Sequence, residues 1–146
     1  MWLSRNADAN GVATGYEYDA RGRILRTTVS GSALLGGEAD TVTQIAYDAA
    51  GNIIRVTQPD QTYLDYGYDA AGRLTQVMDA SGDRVIYTLN DAGERIAEDT
   101  FDASYNPSTP SASLKRHLSR DYNSLKQLIA LRDAYNHATT FTYDAN

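Results

Sequence analysis

One heptad recurs along this chain at a fixed spacing, and that spacing constrains the fold more than any other feature. YDARGRI (Tyr18 to Ile24), YDAAGNI (Tyr47 to Ile53) and YDAAGRL (Tyr68 to Leu74) are near-copies, and the chain ends on YDAN (Tyr143 to Asn146). Aligned on the first heptad position, the copies begin at Tyr18, Tyr47, Tyr68, Leu89, Tyr122 and Tyr143, in steps of 29, 21, 21, 33 and 21 residues. A 21-residue unit with insertions of 8 and 12 residues accounts for every step. Such a period marks a repeat array, in which each unit cannot bury a hydrophobic face alone and stacks on its neighbours.

The unit from Asp69 to Leu89 has four parts: Asp69-Ala70-Ala71-Gly72, then RLTQVM, then Asp79-Ala80-Ser81-Gly82, then DRVIYTL. Both four-residue blocks read Asp-x-x-Gly. That pattern suits a type I turn, with the Asp carboxylate capping backbone N–H groups and Gly tolerating positive φ at the fourth position. A Gly in that conformation enters the next strand through a bulge. Asp8-Ala9-Asn10-Gly11, Asp19-Ala20-Arg21-Gly22 and Asp48-Ala49-Ala50-Gly51 follow the template, and Gly93 closes the corresponding block of the fourth repeat. Each repeat is therefore expected to be two short antiparallel strands and two tight turns.

The intervening segments alternate with a period of two and are rich in β-branched and aromatic residues, as strands require. Leu64, Tyr66 and Tyr68 fall on one side of TYLDYGY; Val85, Tyr87 and Leu89 share a side, as do Thr139, Phe141 and Tyr143. Leu114 to Leu131 holds enough Leu and Lys to suggest a helix, but the repeat register predicts strands at 116–122 and 127–132. The two insertions occupy about 29–40 and 100–115, each replacing a second turn. If the strands meander, both long loops leave from one edge of the sheet. The second, with Pro107, Pro110 and four Ser, is expected to be the looser. The departures from the pattern are local: Leu89-Asn90 replaces Tyr-Asp, Lys126 stands where the turn Gly belongs and should distort that turn, and Gln58-Pro59-Asp60-Gln61 lacks both Asp and Gly at its ends.

Composition excludes several functions. At 146 residues the chain suffices for one domain with a real core, read here as a single repeat segment over 1–146. There is no Cys, and the 13 Lys and Arg are scattered in a chain of net charge −6, so no disulfide, thiolate metal site or nucleic-acid footprint is expected. No apolar run reaches the roughly 18 residues of a membrane span. Met1-Trp2-Leu3-Ser4-Arg5 opens no signal peptide, so export would use another address or a route without a cleavable signal.

Candidate chemistry is thin. One Asp per heptad turn (Asp19, Asp48, Asp69, Asp144) lies a full repeat or more from the next and already serves as a cap, as does Asp79 in a second turn, so neither a calcium cage nor an acid–base pair is indicated. His117 and His137 fall in different repeats with no nucleophile motif, and no cofactor is expected. The remaining candidate is an aromatic ladder, Tyr16, Tyr18, Tyr47, Tyr66, Tyr68, Tyr87, Tyr122, Phe141 and Tyr143. Such rows pack across strands, and they also suit a sugar or an unfolded guest.

A 21-residue unit of the form Y-D-x-x-G-R-L, followed by a second Asp-x-x-Gly turn and an aromatic pair, resembles the RHS or YD repeat over nearly the whole chain, from Asp8 to Asn146. Members of that family include bacterial RHS polymorphic toxins, the C components of insecticidal Tc toxins and teneurin ectodomains. The resemblance implies an all-β fold: a continuous antiparallel ribbon, part of a spiralling shell that in bacterial members encloses a C-terminal toxic domain until delivery by a specialised secretion route. It implies a non-catalytic structural role, with the remaining repeats and the enclosed toxin as partners. The family's self-cleavage motif of Asp-Pro-x-Gly-Leu type does not occur in the chain, which reads as an excerpt of a longer array. A five-repeat excerpt leaves open edge strands that pair with copies of the chain. The alternative is an extracellular module that binds carbohydrate or a receptor through the Tyr face or the long loops.

Overall fold

The computed structural model describes residues 2–9, 11–31 and 39–144. Most of the first inserted loop and the last two residues of YDAN lie outside the described residues. The chain is all-β. Its strands are β1 (Trp2–Ala7), β2 (Ala13–Tyr18), β3 (Ile24–Ser30), β4 (Thr41–Tyr47), β5 (Ile53–Thr57), β6 (Tyr63–Tyr68), β7 (Leu74–Asp79), β8 (Arg84–Leu89), β9 (Arg95–Phe101), β10 (Leu114–Tyr122), β11 (Leu128–Asp133) and β12 (Ala138–Thr140). The residues fall into two compact units, 1–65 and 66–146. Within each compact unit strand order follows chain order.

In the first unit, β1 to β5 and the first residues of β6 (Tyr63 to Asp65) pair antiparallel with their neighbours. In the second, β7 to β12 do the same. Because every connection reverses the chain, the heptad turns of a unit lie along one edge and the second turns along the opposite edge. The register slips by one residue at the heptad turns, between Glu17 and Tyr18, Ala46 and Tyr47, Thr88 and Leu89, and Asp121 and Tyr122. These are the bulges that follow a type I turn closed by a left-handed residue.

The Leu114 to Leu131 segment forms β10 and β11 with no helix, as the register requires. His137 to Tyr143 is shorter as a strand than its pattern indicates. Only Ala138–Thr140 pairs with β11, and the last ladder contact is the Phe141 N–H donating to the Ile129 carbonyl at 3.0 Å.

The real core expected from chain length is not found. Among the described residues the buried hydrophobics are Ala13 in the first unit and Phe101 and Ala130 in the second. The other described strand residues are half-buried or exposed, with Ile54 at 38% and Leu64 at 37% among the exposed. The physical reason is the connectivity: a meander of adjacent strands satisfies the backbone without supplying a second layer to cover either face.

The second inserted loop is narrower and better tied than its composition indicates. β9 runs on to Phe101 and β10 begins at Leu114, with Leu114 opposite Phe101, so the connection proper is 102–113. The Asp102 N–H donates to the Ser113 carbonyl at 3.1 Å, and Ser113 is 1% exposed. A single 3-10 turn, Pro110–Ala112, has Pro at its start, where the missing N–H is harmless. The Tyr105 ring lies 4.7 Å from that of Phe101, and the Arg84 guanidinium sits 4.7 Å from the centre of Tyr105. Contacts among the loop's own aromatic and polar groups thus outweigh the flexibility that Ser and Thr favour.

Candidate functional site

A construction that recurs in both units is the heptad turn with its ties to the next repeat. In the Asp19 and Asp69 turns the carboxylate does three jobs. Asp19 Oδ1 accepts the N–H groups of Arg21 at 2.8 Å and Arg23 at 2.9 Å, while Oδ2 accepts Arg23 Nε at 2.7 Å. Asp69 Oδ1 accepts the N–H groups of Ala71 and Arg73, both at 2.9 Å, and Oδ2 accepts Arg73 Nε at 2.7 Å. Asp48 Oδ1 accepts from Gly51 and Asn52, and Oδ2 from the Asn52 amide. Asp79, in a second turn, accepts the N–H groups of Ser81, Gly82 and Asp83 and the Ser81 hydroxyl.

These bonds favour the ionised carboxyl. The Arg23 N–H holds Asp19 below the ordinary carboxylate range, and the Arg73 N–H does the same for Asp69. The Asn52 amide lowers Asp48, and the Ser81 hydroxyl lowers Asp79. In the long loop the Lys115 ammonium, with Ser104, brings Asp102 down to about 2.

Gly22, Gly51, Gly72, Gly82 and Gly93 all adopt positive φ. At Gly51 the requirement is twofold. Its φ is 102°, and a Cβ there would stand 3.3 Å from Arg23 Nη1, reaching over from the preceding heptad. The Lys126 turn is not distorted. Lys126 takes φ 62°, the Asn123 carboxamide oxygen accepts the N–H groups of Leu125 and Gln127, and the turn closes as the glycine turns do. Gln61 at 69° and Asn136 at 63° occupy the same left-handed position. The Asp133 to Asn136 turn escapes the Asp-x-x-Gly search because it ends on Asn.

Sequence reasoning also missed the residue four beyond the cap. In the turns capped by Asp19, Asp48 and Asp69 this residue carries a donor, Arg23, Asn52 or Arg73, and at Asp133 the His137 ring stands there with Nδ1 3.0 Å from the carboxylate; after Asp8 and Asp79 the same position holds Val12 and Asp83, which give the cap only a backbone N–H. Where the cap is Asn, the residue carries an acceptor. Asn90 Nδ2 donates to Glu94 at 2.7 Å, and Asn123 Nδ2 donates to Gln127 at 2.7 Å. An Asn side chain offers both a donor and an acceptor, so at Asn90 and Asn123 the switch keeps the pair complementary. The loss of Asp at position 90 is thus compensated within the same turn.

Beyond its own cap, the heptad arginine reaches the next repeat. Arg21 Nη1 donates to the Ala49 carbonyl at 3.4 Å, and the Arg23 guanidinium lies 4.2 Å from the centre of the Tyr47 ring. Arg73 Nη1 donates to the Asn90 carbonyl at 3.1 Å.

The ladder tyrosines complete the tie. The Tyr47 hydroxyl donates to the Ile24 carbonyl at 2.9 Å, Tyr122 to that of Arg95 at 3.2 Å, and Tyr143 to that of Leu128 at 2.8 Å. In all three cases the accepting residue lies two positions beyond the last ladder pair, whose members are Arg26, Ala97 and Ala130. The ladder ends there, and the hydroxyl satisfies a carbonyl the neighbouring strand no longer reaches. Tyr16 and Tyr18 pack with ring centres 6.3 Å apart, and Tyr18 hydrogen-bonds Ser4 at 3.4 Å. Tyr66 and Tyr68 are half-buried on β6, Tyr87 holds the Arg95 guanidinium 3.5 Å from its ring centre, and Phe141 is 39% exposed. Among the described residues no group of three or more His, Asp or Glu could hold a metal ion, and no helix is long and apolar enough to cross a membrane.

Comparison with known proteins matches this repeat. The tRNA nuclease WapA of Bacillus subtilis (strain 168) is 26% identical over 116 residues, covering 66% of this chain and 5% of that protein. The tRNA3(Ser)-specific nuclease WapA of Bacillus spizizenii gives the same figures. The chain therefore spans only about a twentieth of the length of these relatives. A crystal structure of TcdB2-TccC3-Cdc42 matches 96% of this chain with a TM-score of 0.73 at 19% identity, the match taking in 8% of that chain. One of TcdB2-TccC3-TEV matches 97% with a TM-score of 0.53 at 15% identity, and 9% of that chain is covered. Both likenesses concern the fold. The family model described as RHS Repeat matches residues 2–33, 47–84 and 68–104, and the chain belongs to that family.

Proposed function

We propose that this stretch is a length of non-catalytic β-wall in a larger RHS-repeat protein, and that the wall isolates a C-terminal toxin or effector domain until a specialised secretion route delivers it. The observation that carries this reading is the tie between successive repeats: arginine and tyrosine side chains reach the next or the preceding repeat, while almost nothing is buried among the described residues. A sheet stabilised from repeat to repeat can be extended indefinitely without a closed core, which is what a wall needs. The edges of β1 and β12 away from β2 and β11 suit pairing with further repeats of the same protein or with copies of this chain. The relatives named as tRNA nucleases and the TccC3 structures support a toxin as the enclosed partner.

Carbohydrate binding by the Tyr face draws less support, because the hydroxyls of Tyr47, Tyr122 and Tyr143 are already engaged by backbone carbonyls. The test uses the complete polypeptide that carries this stretch. Excising 47–104 should expose the C-terminal domain to protease while the intact protein protects it. Equal protection in both would overturn the wall.

A further inference from the structure

In the second unit, the sheet face that carries Tyr87 also holds a knot of charge. Glu98 stands opposite Tyr87 on one side and opposite Leu118 on the other. Three arginines converge on its carboxylate: Arg120 Nη2 at 3.2 Å, Arg116 Nη1 at 3.4 Å and Arg95 Nη1 at 3.6 Å. Arg116 and Arg120 flank Leu118 on β10 at the diagonal positions where long side chains reach across strands. Arg95 comes from the same strand as Glu98, and its guanidinium carbon stands over the Tyr87 ring, 3.5 Å from its centre.

One carboxylate cannot satisfy three guanidinium groups. It offers about four lone-pair sites against about fifteen N–H donors. Arg120 Nη1 is buried and has no hydrogen-bond partner among the described residues. Asp133, across from Leu118 on this face, has its oxygens taken by the Tyr135 and His137 N–H groups and the His137 ring. The cluster therefore carries an excess of two positive charges in a chain whose net charge is −6. Access differs among its members: the Glu98 and Arg120 side chains are 17% and 19% exposed, Arg95 39% and Arg116 59%. The inner pair is held in place while the outer arginines present free N–H edges to solvent.

We propose that the Arg95–Arg116–Arg120 cluster is a docking site for an acidic segment of a polypeptide, one of whose carboxylates completes the hydrogen bonding that Glu98 leaves open. This rests on the wall reading, which makes an enclosed polypeptide the neighbour of one face. Planar guanidinium groups pair bidentately with carboxylates. The shoulders on either side of Glu98, a Tyr ring and a Leu side chain, suit the side chains of a peptide better than a free inorganic ion.

The experiment measures binding of a fluorescent hexaglutamate peptide to the 146-residue chain by anisotropy at low salt, with hexaglutamine and inorganic phosphate as comparison probes. Arg116→Ala should weaken hexaglutamate binding about tenfold, as expected for a lost charge-assisted bond. Arg132→Ala, which removes an exposed arginine paired with Asp121 elsewhere on β11, should leave it unchanged. Circular dichroism on both variants separates lost binding from lost structure. Raising the salt should abolish binding, since local charge acts against an overall negative chain. No hexaglutamate binding, equal losses in the two arginine variants, or equal competition by phosphate would each overturn the site. Peptide binding together with equal protease protection of the C-terminal domain in the intact and excised proteins would leave the site standing and the wall refuted.

Discussion

At the scale of single residues, the turn is governed by two positions that the repeat does not advertise equally. The left-handed position at the fourth turn residue is held by Gly in six described turns and by Gln61, Lys126 and Asn136 in three. A side chain in that conformation costs on the order of 1 kcal/mol. Lys126→Gly should therefore stabilise the chain by about 1 kcal/mol in urea denaturation. Loss of stability would mean that the Lys126 side chain makes a compensating contact. The second position is the partner of the cap. Asn90→Asp should set two carboxylates against each other and destabilise by about 1 kcal/mol. Adding Glu94→Arg should recover that loss by rebuilding the pair seen at Asp69 and Arg73. A cycle in which the two changes simply add would refute the complementary pairing. The Asp-x-x-Gly motif was legible because Asp and Gly are distinctive turn residues. Its partner was not, because Arg, Asn, His, Glu and Gln share no type, only a relation to the cap.

At the scale of elements, strand positions followed from the period, whereas the long loop did not follow from its composition. Ser, Thr and Pro mark an irregular connection, but they do not say whether it packs. Here Phe101 at the end of β9 anchors Tyr105, and the loop backbone closes on Ser113. Phe101→Ala should destabilise the second unit by about 3 kcal/mol, as expected for a buried aromatic. It should also speed proteolysis within 102–113, read by mass spectrometry of the fragments. An unchanged cleavage rate would show that the hydrogen bonds alone hold the loop.

At the scale of the whole molecule, cohesion is distributed over many turns, and so is its sensitivity to acid. The carboxyls of Asp19, Asp48, Asp60, Asp69, Asp79, Asp102 and Asp133 are all lowered in the folded chain, Asp102 to about 2. An unfolded Asp titrates near 3.9, so each group contributes stability that is present above that pH and lost as pH falls toward its folded value. The urea midpoint should fall steadily between about pH 5 and pH 2, and the Asp102 carboxyl signal should titrate near 2 by NMR. A midpoint indifferent to pH over that window would remove the caps from any account of stability. The sequence by itself determined the strand count per repeat, the turn class and the order of strands, because a 21-residue period of alternating residues and Asp-x-x-Gly blocks admits few other foldings. Only the tertiary structure decided how repeats hold each other: tyrosine hydroxyls on carbonyls past the ladder's end, arginines on the next turn, and three arginines around Glu98. Local sequence encodes backbone conformation through each residue's own φ and hydrogen-bonding preferences. Contacts between residues 17 to 27 positions apart depend on where the sheet register sets them, which no single heptad contains.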